Sequence, residues 1–276
     1  MDLLISFLIV ILITLILMAL VTPLPISDVG VVRYRTLPLM TMALITVNVL
    51  VFTLWQARNL YGTDTVMELQ AYVEQIWRYG YRESFMRDGG ASIGAFTTFT
   101  SMFMHADFWH LFGNMIFLWT FGRRVEDACG AWRFLLYYLA AGMMANLGSV
   151  VLNPSDTDLP SIGASGAIAG VMGAYLVLFP GAKVHCLWVI GSVLRIPFAL
   201  LMGRKMWSWT IALPAWIVLI YFAVENALPS FNVMTNGSDM GGVNTLAHLM
   251  GFLAAIVILL FVRKDLLLRY LAGRRL

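Results

Sequence analysis

Four polar side chains lie inside long apolar stretches of this sequence: His110, Asn114, Ser165 and His248. If those stretches cross a membrane, each polar group is costly and needs a reason to be there. Singly, each has an ordinary explanation, because a membrane serine commonly bonds a carbonyl four residues earlier and a lone His or Asn often links two helices. A serine within reach of a histidine, however, is the minimal set for nucleophilic catalysis with an imidazole base.

The four residues share a position along their predicted helices. Ser165 follows the predicted loop 153–160 by a few residues, and His248 follows the predicted loop 230–242 in the same way. His110 stands near the start of its own apolar stretch, and Asn114 lies one turn further on the same face. We therefore expect all four at a similar shallow depth.

Small residues follow both the serine and the second histidine. Gly166, Gly170 and Gly173 form a seam behind Ser165, while Gly251 and Ala255 follow His248. Such seams allow close helix approach, which would bring a short serine side chain to an imidazole on the next helix. The same seams occur in transporters and channels, so they do not indicate an enzyme by themselves.

The apolar stretch 163–179 is short for a full membrane crossing at about 1.5 Å per residue. We expect its helix to begin below the surface, after irregular backbone at 160–163. Irregular backbone at that depth requires surrounding protein or a water-filled cavity, and hydrolysis requires water. A serine at a helix start also has free backbone N–H groups near it, which can stabilise an oxyanion.

Composition identifies the elements that must position these groups. Of 276 residues, 60% are hydrophobic and only 12% are charged, and the mean hydropathy is +0.81. A water-facing surface cannot be built from this composition, so a helical membrane protein is predicted. Cys129 and Cys186 fit neither a disulfide framework nor a zinc site, and no nucleotide-binding or nucleic-acid motif is present. We expect no metal, no cofactor and no nucleic-acid partner.

Seven spans are predicted from the apolar runs: 3–21, 37–54, 108–121, 132–152, 163–179, 209–228 and 243–262. Segment 184–202 is interrupted by Arg195 and Pro197 and is predicted to be interfacial or re-entrant. With the N-terminus outside and the C-terminus in the cytosol, 14 of the 18 basic residues fall on the inner side and 4 in one long outer loop. Basic residues favour the cytosolic side, so this orientation is preferred.

The chain then divides into an N-terminal span at 1–22, a cytoplasmic linker at 23–37, a membrane domain at 38–265 and a basic tail at 266–276. The first run lacks a basic start and a clear cleavage site, so a retained span is favoured over a signal peptide. The outer loop 56–104 is rich in aromatic residues, and both a position in the headgroup region and an ordinary loop folded on itself fit it.

Three motifs resemble those of rhomboid intramembrane serine proteases. Gly163-Ala164-Ser165-Gly166 is similar to the family's GxSG, His110 with Asn114 to its HxxxN, and Ala247-His248 with Gly251 to its AHxxG. They occur in the family's order on three separate spans, within a resemblance over 38–265. Gly122, Glu126 and Gly130 also resemble the GxxxExxxG that follows the HxxxN helix.

The resemblance implies an all-α, six-helix core with one extra N-terminal helix, and a Ser165–His248 dyad. His110 and Asn114 would form the oxyanion hole with the Ser165 N–H, and Gly163, Gly166 and Gly251 would support the site. His105 and Glu126 would be structural. The implied substrates are transmembrane proteins in the bilayer, and the implied place is a bacterial-type plasma membrane with the site facing outwards.

The sequence also departs from the family pattern. The family usually has an aromatic residue four positions after the serine, stacked on the histidine, where this chain has Ala169. Ala255 stands for a usual glycine, and Phe96-Thr97 for a Trp-Arg pair. Two other interpretations remain: a weak or inactive rhomboid-like protein that binds membrane clients, and a transporter or channel with a histidine proton relay.

Overall fold

The computed structural model describes residues 23–29, 36–61, 66–87, 91–152, 158–202, 208–236 and 244–262. The predicted first span at 3–21 and the basic tail at 266–276 lie outside the described residues. The described part is mainly helical, as the apolar runs predict.

The helices are numbered here in chain order. They are α1 (Leu39–Tyr61), α2 (Val66–Tyr79), α3 (Glu83–Arg87), α4 (Ala91–Ser101), α5 (Phe108–Phe117), α6 (Arg123–Cys129), α7 (Ala131–Leu152), α8 (Ser165–Leu178), α9 (Val189–Leu194), α10 (Ile196–Met202), α11 (Ala215–Asn236) and α12 (Thr245–Val262). Helices α5 and α6 are joined through a π-helical turn, Leu118–Gly122, and α1 contains another, Phe52–Gln56.

The prediction of an all-α fold is wrong in one respect, because three short strands form an antiparallel sheet. They are β1 (Leu24–Val29), β2 (Lys183–Leu187) and β3 (Thr210–Pro214), with β2 in the centre. The strands fall in the predicted linker 23–37, at the start of segment 184–202 and at the start of the predicted span 209–228. Mean hydropathy does not distinguish a short buried strand from a piece of helix, whereas β2 alternates between buried and less buried side chains.

Segment 184–202 does not form one continuous helix. After β2 it contains two short helices, α9 and α10, separated at Arg195. This agrees with the expectation that the segment is not a simple span, and its position relative to the bilayer stays a prediction.

Two described helices, α1 and α7, are long and apolar enough to cross a membrane. Three shorter apolar helices lie at Ser165–Leu178, Ala215–Phe231 and Thr245–Leu259. The count of seven spans and the orientation with the N-terminus outside stay predictions.

Helix α8 lies in the centre of the core, packed between α7 and α12. Small side chains make this possible, since a Cβ at Gly170 would overlap Ala141 and lie 3.2 Å from that of Ala255. A Cβ at Gly251 would overlap the Gly166 carbonyl. At the predicted seam α8 and α12 therefore lie in close contact, next to Ser165 and His248.

Glu126 fixes the start of α1 against α6. Its buried carboxylate accepts hydrogen bonds from the Met40 N–H at 2.9 Å, the Thr41 N–H at 2.8 Å and the Thr41 hydroxyl at 2.7 Å. These donors lie at the first turn of α1, where N–H groups have no partner within the helix and attract negative charge. Glu126 thus has the contacts of a structural anchor.

Candidate active site

Ser165 and His248 are in direct contact. Ser165 is the first residue of α8, and His248 lies in the first turn of α12. The serine Oγ is 2.6 Å from the His248 Nε2, a short hydrogen bond. A hydrogen bond from the Ser165 hydroxyl to a carbonyl of its own helix is excluded, because Ser165 is the first residue of that helix.

The start of α12 is fixed by Asn244. Its Oδ1 accepts the Ala247 N–H at 2.9 Å, as an N-cap side chain does, and its Nδ2 donates to the Ser161 hydroxyl at 3.3 Å. One residue thus links the His248 helix to the loop that leads into Ser165.

The backbone before Ser165 is irregular, as the sequence predicts, and it is held on both sides. Ser161 exchanges two backbone hydrogen bonds with Tyr81, at 2.9 and 2.7 Å, and the Gly163 N–H donates to the Ser101 carbonyl at 2.9 Å. Gly163 has φ +132°, which favours glycine. A Cβ at Gly163 would lie 2.9 Å from the His110 ring. Gly163 therefore allows both the turn and the close approach of His110.

The first turn of α8 leaves donors available. Its N-cap residue is Ala164, which has no side-chain oxygen to accept from the N–H groups that follow. Ser165, Gly166 and Ala167 also line a cavity of about 350 Å³, together with His110 and His248. Backbone N–H groups at this helix start can therefore stabilise negative charge that develops in the cavity.

His110 presents a donor to the same place. Its Nδ1 accepts from the Ala106 N–H at 3.4 Å, so the proton of the neutral ring is assigned to Nε2. Nε2 and Cε1 are the ring atoms that face Gly163, both 2.9 Å from where a Cβ at that residue would lie. The Asp107 carboxylate caps α5 by accepting the His110 N–H at 2.8 Å, which fixes the start of this helix.

Asn114 lies one turn deeper in α5 and is 8% exposed. Its Nδ2 has no hydrogen-bond partner among the described residues, which is unusual for a buried amide. It does not line the cavity directly. The structure therefore brings Ser165, His248 and His110 together around the cavity, with Asn114 behind them as an unused donor.

In its described residues, 56–61, 66–87 and 91–104, the predicted outer loop is folded against the helices rather than extended. The Asp158 carboxylate accepts from the Arg82 guanidinium at 3.1 Å and the Ser84 hydroxyl at 2.6 Å, which ties the loop to the segment before Ser165. The Tyr72 hydroxyl donates to the Ala106 carbonyl at 2.5 Å. Burial raises the pKa of Tyr72 to about 12, so the hydroxyl keeps its proton and remains a donor.

His105 is fixed through its main chain. Its N–H donates to the Gln56 side-chain oxygen at 3.0 Å, and its carbonyl accepts from the Gln56 amide at 3.2 Å. Its buried ring contacts the His110 ring edge-on, with the centroids 5.2 Å apart. These contacts support the expected structural role.

Sequence reasoning missed two residues of α11 that contact the His248 ring. The Asn226 Oδ1 is 2.9 Å from the His248 Nδ1. The Phe222 ring lies 6.1 Å from the His248 ring, tilted by 31°, while Ala169 is buried. An aromatic residue therefore does contact the histidine, but from a different helix. The available signal was an asparagine inside an apolar stretch, the same signal that identified Asn114.

Comparison with known protein families finds a match to the rhomboid domain over residues 94–265. The chain belongs to the rhomboid family. It is 32% identical over 146 residues to the mitochondrial Rhomboid protein 1 of Saccharomyces cerevisiae, covering 51% of this chain and 37% of the yeast protein. It is 41% identical over 93 residues to the Rhomboid protease GluP of Bacillus subtilis, covering 34% and 18% of the two chains. Against the chloroplastic Rhomboid-like protein 11 of Arabidopsis thaliana it is 30% identical over 173 residues, covering 60% and 51%.

Membership makes this rhomboid an integral membrane protein. The chain spans between about a fifth and a half of the length of these relatives. Two of the three are named for mitochondria or chloroplasts, so the expectation of a bacterial-type plasma membrane is not supported.

Proposed function

We propose that this rhomboid is an intramembrane serine endopeptidase that uses Ser165 as nucleophile and His248 as general base. The observation that carries the proposal is the 2.6 Å contact between the serine Oγ and the imidazole Nε2. With the imidazole proton on the other ring nitrogen, the hydroxyl donates in this contact, and its proton can move to Nε2 as Oγ attacks a carbonyl carbon.

The reaction proceeds in two halves. Attack of Oγ on the peptide carbonyl forms a tetrahedral oxyanion, and His248 then gives its proton to the leaving amine as the C–N bond breaks. Water in the cavity next attacks the acyl-enzyme and gives a proton to His248, which returns it to Oγ as the ester bond breaks. Serine and histidine end in their starting states.

The oxyanion is assigned three kinds of donor. The backbone N–H groups at the start of α8 and the Nε2–H of His110 border the cavity. The third donor is the Asn114 amide, which needs a rotation or a bridging water to reach the oxyanion. Such donors act where charge develops in the transition state and therefore lower the barrier.

The substrates are transmembrane proteins with a small residue at the cut. Gly142, Gly163 and Ala167 are among the residues that line the cavity. Small residues at these positions leave room for a short side chain next to the scissile bond, and the limited volume of about 350 Å³ disfavours a large one.

The orientation of the chain in the membrane decides from which side water and substrate reach the cavity. With the N-terminus outside, the starts of α5, α8 and α12 lie near the outer face, where water and unwound substrate segments reach the cavity. The support is the distribution of basic residues, 14 of 18 on the predicted inner side.

The test is incubation of purified protein with a panel of single-span substrates, comparing the wild type with Ser165→Ala, His248→Ala and the double variant. Residues that act as one unit lose activity together, so we expect no cleavage by either single variant and no further loss in the double variant. Folding is followed by thermal unfolding in detergent. Cleavage that persists in Ser165→Ala refutes the nucleophile assignment. A well-folded wild type that binds the panel without cutting supports the alternative, a client-binding protein.

A further inference from the structure

The Nδ1 side of the His248 ring faces away from Ser165, and a role in catalysis for the residue on that side rests on the proposed function. A histidine base must keep one specific nitrogen free, and a group on its other nitrogen decides which one that is. In many hydrolases that group is a carboxylate. Here the residue facing Nδ1 is Asn226, whose amide carries no net charge.

The direction of the Asn226 amide follows from its second contact. Its Nδ2 donates to the Phe222 carbonyl at 2.8 Å, one turn earlier in α11. A carbonyl oxygen only accepts, so the NH₂ end must face Phe222 and the oxygen must face His248. The oxygen is also only an acceptor, and the 2.9 Å contact therefore places the histidine proton on Nδ1.

The tautomer of His248 decides whether the Ser165 hydroxyl has a proton acceptor. With the proton on Nδ1, the Nε2 lone pair is free and points at the Ser165 Oγ at 2.6 Å. In the other tautomer Nε2 would donate, and Oγ would lose its proton acceptor. The Phe222 ring limits rotation of the imidazole from the side, and Phe222 also packs on Phe252 of α12, with centroids 6.3 Å apart.

The surroundings of Asn226 fit a fixed group. The residue is 6% exposed, and its own carbonyl accepts from the Ser230 hydroxyl at 2.6 Å. The side-chain amide is thus bonded at both ends, its Nδ2 to Phe222 within α11 and its Oδ1 to His248 of α12.

We propose that Asn226 is a positioning residue that holds His248 in the Nδ1–H tautomer, so that Ser165, His248 and Asn226 form one hydrogen-bonded chain. When Nε2 takes the serine proton, the imidazolium keeps its Nδ1–H bond to the Asn226 oxygen. The amide dipole stabilises that charge, and no proton passes to Asn226. The effect belongs to the chemical step and not to substrate binding.

The kinetic test uses Asn226→Leu, which has similar size but no acceptor, and Asn226→Asp, which keeps an oxygen towards Nδ1. We expect Asn226→Leu to lower kcat about 10- to 100-fold with KM unchanged, because one hydrogen bond to the reacting base is lost. Asn226→Asp should keep kcat within several-fold of wild type. The matched control is Ser230→Ala, which removes a buried bond in the same turn of α11 without touching the histidine.

The spectroscopic test does not depend on cleavage. Long-range ¹⁵N–¹H correlation spectra of protein labelled with [¹⁵N]histidine identify the tautomer of each of the four histidines, with His248→Gln to assign the signal. We expect His248 as Nδ1–H in the wild type and in Ser230→Ala, and a mixture or Nε2–H in Asn226→Leu.

Three results would overturn the inference. They are an Nε2–H tautomer in the wild type, an unchanged kcat in Asn226→Leu, and an equal loss of kcat in Ser230→Ala. If Asn226→Leu does not fold, the wild-type tautomer and the activity of Asn226→Asp still decide. If the wild type cuts no substrate, the proposed protease function fails, and the tautomer still reports on Asn226 alone.

Discussion

Replacing Gly163 by alanine should lower both the rate of catalysis and the stability of the fold. The added Cβ would lie 2.9 Å from the His110 Cε1 and Nε2, whereas an ordinary contact begins near 3.4 Å. The ring or the loop must therefore move by roughly 0.5 Å, and the moved group is a proposed oxyanion donor. The backbone at φ +132° adds strain of about 1–3 kcal/mol.

We expect kcat of Gly163→Ala to fall about 10- to 100-fold, because small displacements at a reacting centre and weakened oxyanion donors both act on the transition state. KM should change little, and the free energy of unfolding should fall by about 1–3 kcal/mol. Cleavage kinetics and thermal unfolding in detergent measure the two effects separately.

Two other glycines serve as matched controls. Gly130 has φ +84° and ψ 150° with open space at its Cβ, so Gly130→Ala carries the backbone strain without any contact with the site. Gly113 lies inside α5 with nothing within 4 Å of a Cβ, so Gly113→Ala should be neutral or stabilising by up to about 1 kcal/mol. The reasoning is refuted if Gly163→Ala cleaves at the wild-type rate, or if Gly130→Ala loses as much activity.

Asn114→Ala should lower kcat several-fold to about 100-fold, because an oxyanion donor is lost. The unfolding temperature should not fall, because the buried Nδ2 has no hydrogen-bond partner among the described residues. An unstable variant with a normal rate would make Asn114 structural. Glu126→Ala should lower the free energy of unfolding by about 2–4 kcal/mol, since three donors, two of them buried, lose their acceptor, and detergent unfolding curves measure it. The side chains of Leu159 and Arg133 are exposed, so cysteines at these positions can report the topology. In intact cells, Leu159→Cys should react with an impermeant thiol reagent and Arg133→Cys should not. The reverse pattern would place the site on the cytosolic face.

The sequence could predict the helices and most of the candidate site. An apolar run of about 20 residues has few stable forms other than a spanning helix, so α1, α7 and α12 follow from local composition. Within such runs a polar residue is an exception that requires a partner, and this local signal makes Ser165 and His248 candidates. Their assignment as a dyad came from the resemblance of the surrounding motifs to those of rhomboid proteases. The positive φ of Gly163 and the unsatisfied N–H groups at the start of α8 also have local causes.

The strands could not be predicted in the same way. The residues of β1 pair with β2 more than a hundred positions later in the chain, for example Pro25 with Cys186. Pairing over that distance depends on where the helices place the strand ends, and a five-residue apolar segment carries no periodicity long enough to choose between strand and helix.

The sequence by itself determined which groups can react and that they lie near helix starts. Only the tertiary structure decided how the base is held. Asn226 and His248 are 22 residues apart on different helices, and their contact depends on the rotation of α11 against α12. Rotation of packed helices is set by the shapes of all contacting side chains, Phe222 and Phe252 among them, and not by any local pattern.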